Sequence, residues 1–390
     1  MARARQAHLV QSKLAVILFG DKFTGKSTLA SQLAYFKNPD GSPFKVLYLD
    51  PESGSIDDYL DILLENGVRP EDLYIVYTQS LEEVREYIRK AKDGEDFYDL
   101  DENGEETETV IKDSSGNPFR PDAIVVDGAS VLNLTTKHGL VQNSRKRAAV
   151  KAKAANLVGD ERFVKVESAG LELKDYQTIN FKGQQLILDL NGCGKHYIVT
   201  AREADEMVTK LDQFGKEVRV ATGKKIPEGF KEMDYNAKTV IWMHRDEEDY
   251  DVVKAFIQKD RTGVHTAGED IEDPTLLDWQ SVIDKTAKHK EFVIRNNMHE
   301  AIKTEEKFYS KEFGTFVDEE PETKPSEPVS DAAIVIQRID SLLAGKSPVQ
   351  KKKAKDACGE KDLPVGNYRK LTDAKVLASI EAEIKKALAE

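Results

Sequence analysis

The residues Gly20-Asp21-Lys22-Phe23-Thr24-Gly25-Lys26-Ser27 match the pattern GxxxxGK[ST] at every defined position. Chemistry at that spacing is phosphate chemistry. Glycines let consecutive backbone N–H groups turn inward on anionic oxygens, and a helix starting there adds its partial positive charge. Lys26 is then placed to reach β- and γ-phosphates and Ser27 to hold Mg²⁺. The ligand expected is a nucleoside triphosphate, ATP, with Mg²⁺.

Carboxylates follow at two places. Ala123-Ile124-Val125-Val126-Asp127 is an apolar run ending in an acid, the residue type that orients the water shell of Mg²⁺. A helix cap is its plain alternative. The run Val46 to Leu49 exits into Asp50-Pro51-Glu52, at the carboxyl end of a strand, where open α/β sheets bind ligands. A carboxylate there polarises an attacking water or caps the helix that follows.

These residues need elements to hold them. LAVILF from Leu14 to Phe19 has the pattern of a strand buried on both faces, and Leu29 and Leu33 open a helix from Ser27 to Phe36. Strands are expected at Val46 to Leu49, Leu73 to Tyr77, Ala123 to Val126, His196 to Ala201, Thr239 to Met243 and Val252 to Gln258. Helices are expected at Ile56 to Glu65, Leu81 to Lys90 and around Leu171 to Leu190. Alternation of this kind predicts an α/β domain with a mainly parallel sheet flanked by helices.

The segments LFGDKFTGKSTL, VLYLDPESGSIDDYLDILLENGVRPEDLYIV and AIVVDGASVL resemble, in order, those of RecA-type recombinases, and the chain looks most similar to phage-encoded RecA-like P-loop proteins associated with single-strand annealing and recombination. The resemblance spans about half the chain. It implies a RecA-like core, Mg²⁺-dependent ATP hydrolysis and Glu52 as the catalytic carboxylate. Lys259-Asp260-Arg261-Thr262-Gly263 is similar to the KxRxG element of RecA-fold hexameric ATPases, which implies Lys259 and Arg261 acting on a neighbouring subunit's γ-phosphate; a solvated basic turn is the alternative. Where those proteins carry a glutamine sensor, this chain reads His196-Tyr197-Ile198-Val199-Thr200-Ala201-Arg202, leaving Thr200 or Arg202 to report the γ-phosphate.

The charge balance narrows the partners. With 390 residues and a net charge of -13, the protein does not coat nucleic acid over its whole surface. Yet no acid lies between Asp127 and Asp160, while Lys137, Arg145, Lys146, Arg147, Lys151 and Lys153 are concentrated there. The stretch falls where the resemblance puts a first DNA-contacting loop, so single-stranded DNA is the expected partner; a basic helix paired with acids elsewhere is the alternative. Aromatic stacking, absent from that stretch, is expected from Phe214 or Tyr235.

No apolar run is long enough for a membrane span, Met1 to Lys13 has no secretory pattern, and Cys193 and Cys358 fit no disulfide or zinc spacing. A cytoplasmic protein is expected. The domain reading is 1–283 for the ATPase, with an acidic insertion at 93–121; 284–330 for a charged helical extension and acidic proline-rich linker; and 331–390 for a small helical module. Asp99, Asp101, Asn103 and Gly104 imitate a calcium loop, but Val110 stands where its last carboxylate belongs, so a plain acidic hairpin is expected. The activity expected is ATP hydrolysis by a homo-oligomer, ring or filament, on single-stranded DNA, with a protein partner for the C-terminal module. A nucleotide-switched assembly protein and a small-molecule kinase are the alternatives.

Overall fold

Strand-forming runs buried on both faces build the centre of the protein. The computed structural model describes residues 13–102, 104–284, 298–312, 348–359 and 373–389, with residues 335, 336, 338, 339, 342, 343, 361, 363, 364, 368 and 371. Among these, β1 (Ala15–Gly20), β2 (Val46–Asp50), β3 (Leu73–Tyr77), β6 (Ala123–Asp127), β7 (His196–Leu211), β8 (Glu217–Pro227), β9 (Thr239–Arg245), β10 (Val253–Asp260) and β11 (Asp270–Glu272) make one nine-stranded sheet. A separate hairpin pairs β4 (Tyr98–Leu100) with β5 (Glu106–Val110).

Along the sheet the order is β11-β10-β9-β1-β7-β6-β2-β3. Every pair from β9 through β3 is parallel, and only β10, β11 and β8 run antiparallel to their neighbours. Parallel strands need helical crossovers, supplied here by α1 (Lys26–Ser31) with its 3-10 continuation Gln32–Tyr35, α2 (Leu60–Glu65), α3 (Leu81–Asp93), α4 (Ala129–Ala154), α5 (Gly159–Glu167) and α6 (Leu173–Gly192). The core gathers Leu14, Val16, Leu18, Leu29, Leu33 and Tyr48 with Trp279 and Ile283 from the closing α7 (Gln280–Asp284) and the turn before it.

Strand β7 lies between β1 and β6, so the ends of those two strands stand two spacings apart, roughly 9–10 Å. That gap sets the scale of the site at the carboxyl edge of the sheet.

Two elements extend from this edge. The stretch after Arg202 is a β-ribbon: β7 continues to Leu211 and β8 returns beside it, with Phe214 83% exposed at the turn, and its root is held to the sheet by Trp242 Nε1 donating to Glu203 Oε2 at 2.8 Å and Gln258 Nε2 donating to Lys225 O at 2.9 Å. The basic stretch is a helix rather than a loop. Lys182 pairs with Glu82 at the start of α3, and Arg85 with Asp189, so the second half of α6 lies beside α3. Arg147 of α4 meets Asp175 near the start of α6, which places the far half of α4 beyond the edge.

Contacts divide the chain into two units, Met1–Asp96 with Lys112–Met298, and Phe97–Ile111 with His299–Glu390. The second holds the β4–β5 hairpin, α8 (Met298–Glu312), α9 (Pro348–Gly359) and α10 (Ala374–Ala389); its core includes Ile339, Ala354, Cys358, Leu377, Ile380 and Ile384. Gly104 N–H donates to Asp101 O in the hairpin turn, and no cluster of three or more His, Cys, Asp and Glu residues that could hold a metal ion occurs among the described residues. Asn103 and residues 318–330 of the acidic proline-rich linker lie outside the described residues. No described helix is long and apolar enough to cross a membrane.

Candidate active site

Gly20 closes β1 against β9: a Cβ there would stand 2.0 Å from the Met243 carbonyl oxygen, so no other residue fits. The chain then folds into a cradle in which Phe23 (φ 58°) and Gly25 (φ 76°) take left-handed conformations before α1 begins at Lys26. Phe23 pays a strain that a glycine would not, the kind found where a backbone must present itself to a ligand. The Lys26 ammonium donates to Asp21 O at 2.6 Å, and Thr24 Oγ1 donates to the same carbonyl at 2.8 Å. Burial pushes the Lys26 pKa down, while Glu52, Asp127, Asp21 and Glu203 pull it back up. A cation so placed gains from any anion that takes over from the carbonyl.

Asp127 ends β6 and is almost fully buried. A buried carboxylate needs partners, and three hydroxyls provide them. Thr200 Oγ1 donates to Oδ1 at 2.5 Å; Tyr48 OH and Ser55 Oγ donate to Oδ2 at 2.6 and 2.5 Å. Burial, together with the negative Asp127, raises the Tyr48 pKa far enough to keep its phenol a donor.

The loop carrying Glu52 is built on Asp50. This buried carboxylate accepts from the backbone N–H groups of Glu52 and Ser53 at Oδ1, 2.9 and 3.0 Å, and of Gly54 and Ser55 at Oδ2, both 2.8 Å. Of the two acids after β2, Asp50 therefore shapes the loop and Glu52 projects from it. Gly128 makes room: with φ 136° it sits where a Cβ would stand 2.8 Å from Glu52 Cγ. Burial and Asp127 raise the Glu52 pKa, opposed by Arg202 and Lys26. Arg202 Nη2 lies 3.7 Å from Glu52 Oε1.

Lys26, Ser27, Glu52, Asp127 and Thr200 thus meet at one edge of the sheet. The donor set suits a nucleoside triphosphate with Mg²⁺: backbone N–H groups and an ammonium for phosphate oxygens, a hydroxyl at Ser27 and a carboxylate fixed by three donors for the metal's shell. Beside the cradle opens a cleft of about 510 Å³, lined by Phe23, Thr28, Gln32, Tyr59, Arg245 and Asp273 among others, with room for a nucleoside. Arg245 braces the cradle, donating from Nη2 to Phe23 O and from Nη1 to Tyr250 O, both at 2.6 Å.

Lys259 and Arg261 lie elsewhere. Lys259 pairs with Val240 and Asp260 with Thr239, at the start of β9, while Gly20 pairs with Met243 near its end. The basic pair is therefore at the amino edge, opposite this chain's own cradle. Lys259 Nζ donates to the carbonyls of Asp234 and Tyr235 at 3.1 and 3.0 Å, in a pocket shared with Lys224, Gln258 and Arg261.

The basic stretch divides. Arg147 binds the buried Asp175 through both terminal nitrogens at 3.0 and 2.6 Å, Arg145 pairs with Glu167 at 2.9 Å, and Lys151 stands 3.8 Å from Glu172. No ion-pair partner occurs for Lys137, Lys146 or Lys153 among the described residues. Sequence reading missed Tyr48, Ser55, Tyr59 and Arg245, although the first three lie inside the quoted segment that begins VLYLDPESGSIDDYL, close to Asp50 and Glu52.

No family model and no curated protein matches the sequence. The chain is similar to the solved structures of a KaiC-like protein from the hyperthermophilic archaeon Pyrococcus horikoshii OT3, at 13% identity and TM-score 0.35 over 68% of this chain and 93% of that one. It is also similar to the RadB recombinase, at 16% identity and TM-score 0.35 over 67% of this chain and 87% of that one. Both likenesses are weak. Features internal to the chain make the fold a P-loop α/β core: the cradle after β1, the acid-ended β6 and the intervening β7.

Proposed function

We propose that the protein binds ATP with Mg²⁺ in the cradle from Gly20 to Ser27 and hydrolyses it as a homo-oligomer on single-stranded DNA. The observation that carries the reading is the meeting of Lys26, Glu52 and Asp127 at one strand edge, each held by a different element.

In this reading the cradle N–H groups and Lys26 take the phosphate oxygens, Lys26 leaving Asp21 O to do so. Glu52 accepts the proton of the water that attacks the γ-phosphorus, as the resemblance implies. Ser27 would hold Mg²⁺ directly and Asp127 through its water shell; the ion, when bound, neutralises charge on the β- and γ-oxygens. Lys259 and Arg261 serve the cradle of a neighbouring copy, a use supported by their distance from their own. Lys137, Lys146 and Lys153 on α4 and the exposed Phe214 at the tip of the ribbon are the groups offered to a polyanion.

The test is phosphate release from ATP with and without single-stranded DNA, alongside DNA binding at increasing salt. Stimulated release and salt-sensitive binding are expected. Tight nucleotide binding without release under any condition sinks the hydrolytic reading, and salt-insensitive or absent DNA binding sinks the partner.

A further inference from the structure

Strand β11 is three residues long and forms the rim of the sheet, paired with β10 among the described strands. So short an edge needs side chains to hold it. Two histidines supply them: His244, on β9, reaches over β10 to place Nε2 2.9 Å from Asp270 Oδ1, and His265, in the turn after β10, sets Nδ1 3.3 Å from Glu269 Oε2. Each ring meets a second oxygen. His244 Nδ1 lies 3.2 Å from the Arg245 carbonyl oxygen, and His265 Nε2 lies 3.0 Å from Asp278 Oδ2 in the 3-10 turn Leu276–Trp279.

A carbonyl or an ionised carboxylate only accepts, so a ring with such oxygens at both nitrogens must donate from both, and only the charged imidazolium can. A neutral ring gives up one of the two contacts. The chain's two tryptophans lie against these rings: Trp242 stacks on His244 with centroids 4.4 Å apart and planes at 20°, and Trp279 tilts against His265 at 4.8 Å. The face of an indole attracts a cation. Around His244 the charged groups are Asp270 and Glu272 of β11 and its register partner Lys254 of β10, which is tied to Asp246; the Arg245 guanidinium is turned to Phe23 O and Tyr250 O. Around His265 they are Glu269, Asp278 and Asp260, whose Oδ2 accepts the His265 N–H at 3.0 Å. The Thr266 N–H, and then His265, hold the Glu269 carboxyl below the usual carboxylate range against its burial. Carboxylates prevail at both rings.

We propose that His244 and His265 form a proton-operated clamp on β11: with both rings charged the rim is pinned through Asp270, Glu269 and Asp278, and with both neutral it is held by its backbone alone. Histidine changes charge between about pH 5 and 8, so the clamp closes toward the lower end and opens toward the upper. The cleft wall at Asp273 and Pro274 follows β11 directly, and the clamp sets how firmly that wall stands. This holds whatever the cleft binds.

Tryptophan emission and amide exchange of the full chain without nucleotide test the clamp. An imidazolium quenches the emission of an indole it lies against, so the wild-type chain is expected to brighten in a step as the pH rises from about 5 to about 8; His244→Gln and His265→Gln each lose roughly half of the step, and the double variant loses it. Over the same range the amides of Gly268 and Asp273, which donate to Ile257 O and Val253 O on either side of β11, are expected to lose protection several-fold after correction for intrinsic exchange, and to hold one value in the double variant. Wild-type emission without a step overturns the proposal, because the rings then do not change charge in that range. A step with constant protection at both amides overturns it as well, because the rings then titrate without holding the strand. Both of these outcomes are read on the wild-type chain, so they stand whether or not a variant folds.

Discussion

Thr200 and Asp127 face each other across β7 and β6, and the threonine hydroxyl donates to Asp127 Oδ1 at 2.5 Å. Of the two residues left to report the γ-phosphate, Thr200 and Arg202, the threonine is engaged with the carboxylate. Thr200→Val keeps the shape and removes the donor, at a cost of about 1.5–3 kcal/mol for a bond to a buried charged group. We expect the Mg²⁺ concentration for half-maximal nucleotide binding to rise several-fold, with Thr200→Ser near wild type. Calorimetric titration of Mg²⁺ at fixed nucleotide checks it; an unchanged requirement means Tyr48 and Ser55 suffice.

Asp50 is expected to matter as much to stability as Glu52 does to turnover. Removing its carboxylate leaves the N–H groups of Glu52, Ser53, Gly54 and Ser55 without their acceptor. Asp50→Ala should cost about 3–5 kcal/mol and scramble the loop that carries Glu52. Urea unfolding measures the first and loss of turnover in the remaining folded protein the second. A loss below about 1 kcal/mol would mean that water replaces the carboxylate.

His196 predicts an acid limit to stability. Its Nδ1 accepts from the Leu14 N–H at 3.1 Å, and burial, with Lys13, Lys238 and Lys195 nearby, lowers its pKa to about 3. The unfolded chain, with an ordinary histidine near 6.5, takes up a proton that the folded protein refuses. Stability is therefore full above about 6.5 and falls as the pH drops toward about 3, by a few kcal/mol in all. His196→Asn, which keeps an acceptor and cannot titrate there, should flatten the unfolding midpoint between those limits. An equally steep fall in the variant would assign the loss to other groups.

Lys259 and Arg261, at the amino edge, should affect turnover without touching nucleotide affinity. Arg261→Ala is expected to slow hydrolysis on the order of 10³-fold. Mixing it with a Lys26→Ala chain should restore part of the activity, because the second chain lends its Arg261 to the first chain's intact cradle. No recovery on mixing would place the action of Arg261 within its own subunit.

The legible part of the site was the part written in neighbouring residues. The cradle is one unbroken stretch, and Asp127 could be found because the four residues before it are apolar. The hydroxyls around Asp127 come from Tyr48, Ser55 and Thr200, residues 79, 72 and 73 positions away, and no local pattern announces such a meeting. Strand alternation failed on the ribbon for a physical reason: from Glu203 to Leu211 no residue is fully buried, and the half-buried side of Ala204, Glu206 and Val208 includes an acid, so the sequence carries no apolar period of two. The basic stretch misled in the same way. Beyond the sheet edge α4 buries little more than Ser144, Ala148 and Ala152, too small a stripe to read as a core-facing helix. The Arg147–Asp175 pair, which fixes that helix to α6, left no trace in either segment alone.

Helix α4 starts one residue after Gly128, against which Glu52 rests, and runs for 26 residues. At 1.5 Å per residue it is a rod about 39 Å long whose base lies at the edge that carries the cradle. A tilt of about 5° at its base, the size of an ordinary side-chain rearrangement, sweeps the far end through roughly 3 Å. The geometry works equally in reverse: a load on the distal end, where Lys146 and Lys153 lie, is geared down to sub-ångström motion beside Glu52.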